Sequence, residues 1–228
     1  MTGLIAFDLD GTLVDSERDL WVSVNATRAW MDLGPLDLAQ VASYVGNGAP
    51  MLVRRALPDA SDEQVERGLR YFLDYYREHM LDSTTLYPGV REGLDRLHAA
   101  GVPLAVLTNK PVRFSVRMIE GLGLDMHFFR VYGGNSFEEK KPHPMGLNIL
   151  MAEAGAEPAR SLMVGDSAVD VLTARNAGVR ACGVRWGFQP ETFAQAPPDF
   201  LISDMRELVE LILPPLPEAS SGYPRSSK

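Results

Sequence analysis

Asp8 and Asp10 stand two residues apart in Phe7-Asp8-Leu9-Asp10-Gly11-Thr12, directly after the apolar run from Leu4 to Phe7. An apolar run that stops at acidic and glycine residues reads as a buried strand ending in a loop. Alternate residues beyond a strand end can point the same way, which sets two carboxylates side by side. A free aspartate has a pKa of about 4 and is ionised at neutral pH. It can attack phosphorus without a base to activate it, while a second aspartate protonates the leaving oxygen and later activates water. Two like charges so close call for a cation, and hard oxygen ligands suit Mg²⁺. The competing reading is an acidic turn, since Asp and Gly favour turns.

Three further segments carry chemistry. Residues 104–107 end in Thr108-Asn109-Lys110-Pro111. A hydroxyl and an amide ahead of a helix can donate to phosphate oxygens, or can simply cap the helix. Lys140-Lys141-Pro142-His143-Pro144 precedes another helix. Lys141 can neutralise negative charge shared by carboxylates and phosphate. The alternative is a solvated basic pair, expected to hold for one of the two lysines, and His143 reads as a solvated loop imidazole. Leu162-Met163-Val164-Gly165-Asp166-Ser167 is again strand, glycine, acid, with Asp170 one helical turn on. Asp166 can ligate Mg²⁺ with Asp170 supporting it, and Asp166 can also cap the helix.

Positioning these groups requires a sheet. Strands are expected at residues 4–7, 102–107, 131–132, 161–164, 180–184 and 200–202. Helices between them stop at Gly101, Gly123, Gly155 and Gly178, and a last one covers 206–213. Strands alternating with helices mean βα units, hence an α/β, doubly wound, Rossmann-like core with a parallel sheet. In such sheets the carboxyl ends of the strands carry the site. Residues 15–86 read instead as all-helical, without a strand. Ser16 is expected to cap the first of these helices. Asp37 with Gln40 resembles a capping box opening a helix through Val45. Pro50 fits a first helical turn. Ser61 with Gln64 starts a helix whose stripe is Val65, Leu69, Phe72 and Tyr76. The expected organisation is a core of residues 1–14 and 87–213, an inserted helical cap over 15–86, and a disordered Pro- and Ser-rich tail over 214–228.

Composition bounds the partners. The chain has 228 residues, 46% hydrophobic and 23% charged, with ample material for a core. A net charge of −8 argues against nucleic acid or an anionic membrane as main partner. The single cysteine, Cys182, excludes a disulfide framework or Cys-rich zinc site within one chain and reads as a buried structural thiol. The first residues lack a basic signal-peptide region, and no apolar run reaches the roughly 18 residues of a membrane span. A cytoplasmic monomer or homodimer is expected.

Taken in order, Asp8-x-Asp10-Gly11-Thr12, Thr108-Asn109, Lys141-Pro142 and Gly165-Asp166-Ser167 with Asp170 resemble the signature of the haloacid dehalogenase-like hydrolase superfamily, over residues 3–213. The insert is similar to that superfamily's helical cap. Residues 7–16, Val45-Gly46-Asn47-Gly48, 107–111, 140–144 and 164–167 resemble its phosphoglycolate phosphatase type. The resemblance implies that Asp8 forms an aspartyl-phosphate and that Asp10 serves as general acid, then base. It implies that Thr108, the Asn109 backbone and Lys141 hold the phosphoryl group. It further implies that the Asp8 side chain, the Asp10 carbonyl and Asp166 ligate Mg²⁺ while Asp170 orients the metal site. Catalysis would then be mostly positioning and charge neutralisation. The chain departs from the type at three places. It has Gly133-Gly134-Asn135-Ser136 where Gly-Gly-Asp-Ser is usual, Met145-Gly146 where Asp-Pro is usual, and Trp186-Gly187-Phe188-Gln189 where Tyr-Gly-Tyr-Asn is common.

The cap is expected to select a small phosphorylated metabolite, because the core holds only the phosphoryl group. Gly46-Asn47-Gly48 ahead of a helix can meet a substrate anion through backbone amides. Arg54 or Arg55, with Arg55 favoured, can pair with a carboxylate such as that of 2-phosphoglycolate, or lie on the surface of an amphipathic helix. A dehalogenase would need neither Asp10 nor Mg²⁺. A phosphonate-cleaving relative would need a cap lysine, and the first lysine in the chain is Lys110. A phosphosugar mutase and a pyrophosphatase or nucleotidase of the same fold stay open. A catalytically silent module would typically have lost Asp8 or Asp10.

Overall fold

The computed structural model describes residues 3–213; the expectation of a disordered tail over 214–228 lies outside them. The strands are β1 (Leu4–Phe7), β2 (Val14–Asp15), β3 (Thr85–Leu86), β4 (Leu104–Leu107), β5 (Arg130–Tyr132), β6 (Ser161–Gly165), β7 (Arg180–Val184) and β8 (Phe200–Ile202). The helices are α1 (Glu17–Trp30), α2 (Leu38–Ala42), α3 (Ala49–Ala56), α4 (Asp62–His79), α5 (Val90–Ala99), α6 (Val112–Gly121), α7 (Met145–Ala154), α8 (Ala168–Asn176) and α9 (Met205–Ile212).

Six strands form one parallel sheet in the order β5-β4-β1-β6-β7-β8. β1, β4 and β6 are buried at every residue. Strands covered on both faces have no reason to alternate, so their sequences are continuous apolar runs. On one face Ile5, Phe7, Leu104 and Val106 join Leu94 and Leu97 of α5, Phe114 and Met118 of α6 and Leu208 of α9. On the other, Leu4, Ala6, Ala105 and Leu107 join Leu147 and Leu150 of α7 and Val171 and Ala174 of α8. Each large side chain so buried contributes about 1.5–3 kcal/mol. The chain runs outward from β1 to β4 and β5, then returns to β6 on the other side of β1. The topological switch therefore falls at β1, and the loops leaving β1, β4 and β6 converge there.

Between β2 and β3 the chain passes through α1 to α4. The expectation that residues 15–86 contain no strand is corrected at both ends. β2 pairs antiparallel with β3, Val14 opposite Leu86 and Asp15 opposite Thr85. The two crossings run side by side, and each supplies partners for the other's backbone groups. The buried Asp19 carboxylate closes the same junction by accepting from the Ser83 and Thr84 backbone and the Thr84 hydroxyl at 2.8–3.0 Å.

Caps divide into those that form and those that do not. Ser61 and Gln64 make the expected capping box of α4, with Ser61 N–H donating to Gln64 Oε1 at 2.8 Å. Ser16 occupies the N-cap position of α1, but its hydroxyl donates to Asp10 at 2.6 Å instead. Asp37 makes no side-chain cap, and α2 ends at Ala42 rather than reaching Val45. The carbonyls of Ser43 and Val45 instead accept from Gln189 Nε2 at 2.9 Å each, and that of Tyr44 accepts from Arg55 at 3.0 Å. Among the described residues no helix is long and apolar enough to cross a membrane.

Candidate active site

Asp8 follows β1 directly, and its N–H extends the ladder to the Val164 carbonyl at 2.9 Å. Its carboxylate accepts from Leu9 N–H at 2.7 Å and from the Thr108 hydroxyl, and lies 3.0 Å from Lys141 Nζ. Leu9 turns into the core, fully buried, while Asp8 and Asp10 line one cavity. The Asp10 carboxylate accepts from Lys110 Nζ at 2.9 and 3.0 Å and from Ser16. The turn requires glycine at position 11. Its φ is +78°, and a Cβ there would stand 2.3 Å from Asp166 Oδ2.

Asp166 leaves β6 beside this turn and accepts the Phe188 N–H at 2.7 Å. Ser167, not Asp166, occupies the N-cap position of α8. Asp170 accepts from the Ser167 backbone and hydroxyl at 3.2 and 2.8 Å and from Lys141 Nζ at 2.6 Å. Carboxylate oxygens of Asp8, Asp166 and Asp170 lie within 4.8 Å of one another, all buried. Burial pushes Asp8 up to about 6, with the Asp170 charge adding to it and Lys141 opposing. Burial, then the charges of Asp170 and Asp8, hold Asp166 well above the usual carboxylate range. Burial works against the Lys141 ammonium, yet Asp170 and Asp8 outweigh it and hold its pKa above the ordinary value. Three carboxylates against one ammonium leave an excess of negative charge on hard oxygen donors, and this set fits a divalent cation such as Mg²⁺.

The structure thus brings together Asp8, Asp10, Thr108, Asn109, Lys141, Asp166 and Asp170. They lie around and beside a cavity that also meets Gly46 and Gly48. The Asn109 side chain ties its neighbours, donating to the Gly46 carbonyl at 2.9 Å and the Lys141 carbonyl at 3.0 Å. Arg55 is not brought in. Its guanidinium donates to the Tyr44 carbonyl and, at 2.8 Å, to Asn47 Oδ1, and it does not line the cavity. Arg54 pairs with Asp62 on the outside. Asn47 is committed to Arg55, and its carbonyl accepts from the exposed Lys140 at 2.8 Å. His143 is exposed, accepting the Met145 N–H.

Other residues enter without having been singled out. Lys110 is buried against Asp10 and Tyr76; its place inside Thr108-Asn109-Lys110-Pro111 was the available signal. Tyr76, 34 residues away, reads in the sequence only as part of a helical stripe. The departures from the family pattern also find partners. Asn135 Oδ1 accepts the Val112 N–H at 2.9 Å and opens α6. Trp186 Nε1 donates to the Thr12 carbonyl at 3.1 Å, and Gln189 fastens the loop after α2.

Residues 5–184 match the profile of the family described as Haloacid dehalogenase-like hydrolase. A phosphoglycolate phosphatase of Chromobacterium violaceum is 43% identical over 213 residues, 91% of this chain and 95% of that protein. One of Vibrio cholerae is 40% identical over 218 residues, covering 92% and 96%. A crystal structure from Haemophilus somnus, described as a predicted phosphoglycolate phosphatase, matches with a TM-score of 0.89 at 34% identity. The match covers 93% of this chain and 98% of that one.

Proposed function

The chain belongs to the haloacid dehalogenase-like hydrolases, and from that premise we propose that it is a Mg²⁺-dependent phosphatase converting 2-phosphoglycolate to glycolate and phosphate. The observation that carries the chemistry is the Asp8 carboxylate at the central strand end, with Asp10 on the same cavity wall and Lys141 at 3.0 Å. The substrate reading is supported by relatives of that name at 40–43% identity over nearly the whole chain.

Asp8 attacks phosphorus in line with the ester bond. As that bond breaks, Asp10 gives its proton to the leaving oxygen, and glycolate departs from an aspartyl-phosphate. Asp10, now a base, takes a proton from water as the water attacks phosphorus, releasing phosphate and restoring Asp8. Thr108, the Asn109 backbone and Lys141 hold the phosphoryl oxygens, and Asp170 holds Lys141 in place. The Asp8 side chain, Asp166 and the Asp10 carbonyl would hold Mg²⁺, which when bound supplies positive charge against the phosphoryl oxygens and the nucleophile. Residues 15–86 act as a cap on the core of 1–14 and 87–213. Gly46, Asn47 and Gly48 form its edge over the cavity, and Arg55 braces that edge. Cap closure then shields the site from bulk solvent while leaving the one water that the second step consumes.

The test is phosphate release from 2-phosphoglycolate with and without Mg²⁺, for the wild type and Asp8→Asn, beside phosphosugars, nucleotides and pyrophosphate. Mg²⁺-dependent release abolished by Asp8→Asn is expected. Activity confined to other panel members would keep the mechanism and discard the substrate. No Mg²⁺-dependent release from any member would discard both.

A further inference from the structure

We propose, on the phosphatase reading above, that Lys110 is the residue that selects the substrate, its ammonium pairing with a carboxylate carried by the leaving group. Among the described residues Lys110 is the only cation lining the cavity, whose other charged residues are Asp8 and Asp10. The arginines of α3 are turned elsewhere, Arg55 to the Tyr44 carbonyl and Asn47, Arg54 to Asp62. Lys141 is committed to Asp8 and Asp170. An anionic end entering this cavity therefore has one ammonium to meet.

That ammonium is fixed in place at the cavity wall. Lys110 is 7% exposed. Its Nζ spans both Asp10 oxygens at 2.9 and 3.0 Å and donates to Tyr76 Oη at 2.6 Å. An ammonium has three donors, and here they meet the two Asp10 oxygens and Tyr76 Oη. A carboxylate is therefore received in exchange for one Asp10 contact, the one given up when that oxygen carries the proton for the leaving group. Tyr76 is itself immobilised, stacked on Phe72 at 5.6 Å and edge-on to Phe114 at 5.5 Å. The walls from Leu20, Phe72 and Phe114 are apolar. They exclude water from an ion pair and so strengthen it, and they offer nothing to the hydroxyls of a sugar.

The reach also fits. A leaving oxygen protonated by Asp10 lies within hydrogen-bond distance of it, as Nζ does, so oxygen and Nζ are separated by at most about 6 Å. In 2-phosphoglycolate the carboxylate carbon is two bonds, about 2.5 Å, beyond that oxygen, and its own oxygens cover the remainder.

The experiment compares 2-phosphoglycolate with ethyl phosphate, which carries a methyl where the carboxylate stands, in the Mg²⁺-loaded enzyme. Lys110→Met should raise KM for 2-phosphoglycolate about 10- to 100-fold, the worth of one charge-assisted hydrogen bond, and move KM for ethyl phosphate less than about threefold. Lys110→Arg should restore most of the preference. Lys110 also positions Asp10, so kcat falls for both substrates alike, and the ratio of their kcat/KM values cancels that shared loss. Where turnover is too slow to measure, calorimetric Kd values for both phosphates on Asp8→Asn, with and without Lys110→Met, report the same ratio. A ratio unchanged by Lys110→Met would overturn the inference and leave Lys110 as a positioning residue for Asp10. A wild type with no preference for 2-phosphoglycolate over ethyl phosphate would instead sink the substrate reading, and this inference with it.

Discussion

Asp8→Asn should raise the melting temperature of the metal-free protein and abolish most of its response to Mg²⁺. Burial pushes the Asp8 pKa from an ordinary 3.8 to about 6 in the fold. A gap of about two units corresponds to about 3 kcal/mol between the two protonation states. Because the folded value is raised, the fold favours the protonated form. The stability this group contributes is full below about pH 4 and is lost as pH rises through 6. At pH 7.5 the ionised carboxylate therefore opposes folding of the metal-free protein. Asparagine keeps the shape and removes the charge, while Lys141 keeps Asp170 at 2.6 Å. Allowing for the lost Lys141 contact, the metal-free variant should gain about 1–3 kcal/mol. At about 2–4 °C per kcal/mol for a chain of this size, it melts roughly 2–12 °C above the wild type. Mg²⁺ at ten times its Kd stabilises the wild type by about 1.4 kcal/mol, or roughly 3–6 °C, and should move Asp8→Asn by less than about 1 °C. Thermal melts at pH 7.5 and pH 5, in chelator or Mg²⁺, read all of these terms. At pH 5 both effects shrink, because Asp8 is already protonated in the metal-free fold and metal must displace that proton. A metal-free Asp8→Asn that melts below the wild type at pH 7.5 would refute the excess of negative charge. Equal stabilisation of both proteins by Mg²⁺ would remove Asp8 from the metal set.

Gly11→Ala forces a side chain into a backbone of φ +78° and places its Cβ 2.3 Å from Asp166 Oδ2. A loss of about 1–3 kcal/mol in denaturant unfolding is expected, with most of the activity, and a variant of wild-type stability and rate would refute the close approach. Arg55→Ala frees the loop of residues 44–48, so KM should rise about 3- to 10-fold, the worth of one or two hydrogen bonds, and equally for 2-phosphoglycolate and p-nitrophenyl phosphate. A rise confined to 2-phosphoglycolate would return Arg55 to direct contact with substrate. Burial pushes the Cys182 thiol up to about 12. Native protein at pH 8 should therefore resist thiol reagents until denaturant is added, and rapid labelling of the folded chain would contradict that burial.

What the sequence makes legible follows from burial. β1, β4 and β6 are covered on both faces, so each is a short unbroken apolar run, and the polar residue that ends each run stands at a carboxyl end. One parallel sheet with its switch at β1 then suffices to gather Asp8, Thr108 and Asp166. The two-residue strands β2 and β3 have no such run; they exist because two crossings meet, a fact of tertiary structure. Caps are legible only where nothing competes for the side chain. Ser61 faces solvent and caps, whereas Ser16 lies beside the Asp10 carboxylate and bonds it instead. The sequence points to α3 for the cation that meets the substrate, at Arg54 or Arg55. An arginine there is surrounded by the open carbonyls of a helix that stops early, and it satisfies those first.

On the proposed function, the two halves of the cavity differ in how they are built, and that difference bears on selectivity. The phosphoryl half comes from strand ends held by one hydrogen-bonded sheet, so Asp8, Thr108 and Asp166 cannot shift independently without breaking its ladders. The distal half joins Lys110, fixed to the end of β4, to Phe72 and Tyr76, fixed to α4, and no sheet bonds link the two. Side-chain packing and the Lys110–Tyr76 hydrogen bond set that distance. The volume and polarity available to a leaving group therefore depend on a few aromatic contacts, while the charge that receives its carboxylate stays tied to Asp10. Substitutions at Phe72 or Leu20 can alter which leaving groups fit without touching a group that contacts phosphorus. A substitution at Lys110 changes recognition and the setting of the acid together. Selectivity on this scaffold is accordingly easiest to reshape through the apolar wall and hardest through the one residue that both selects and positions.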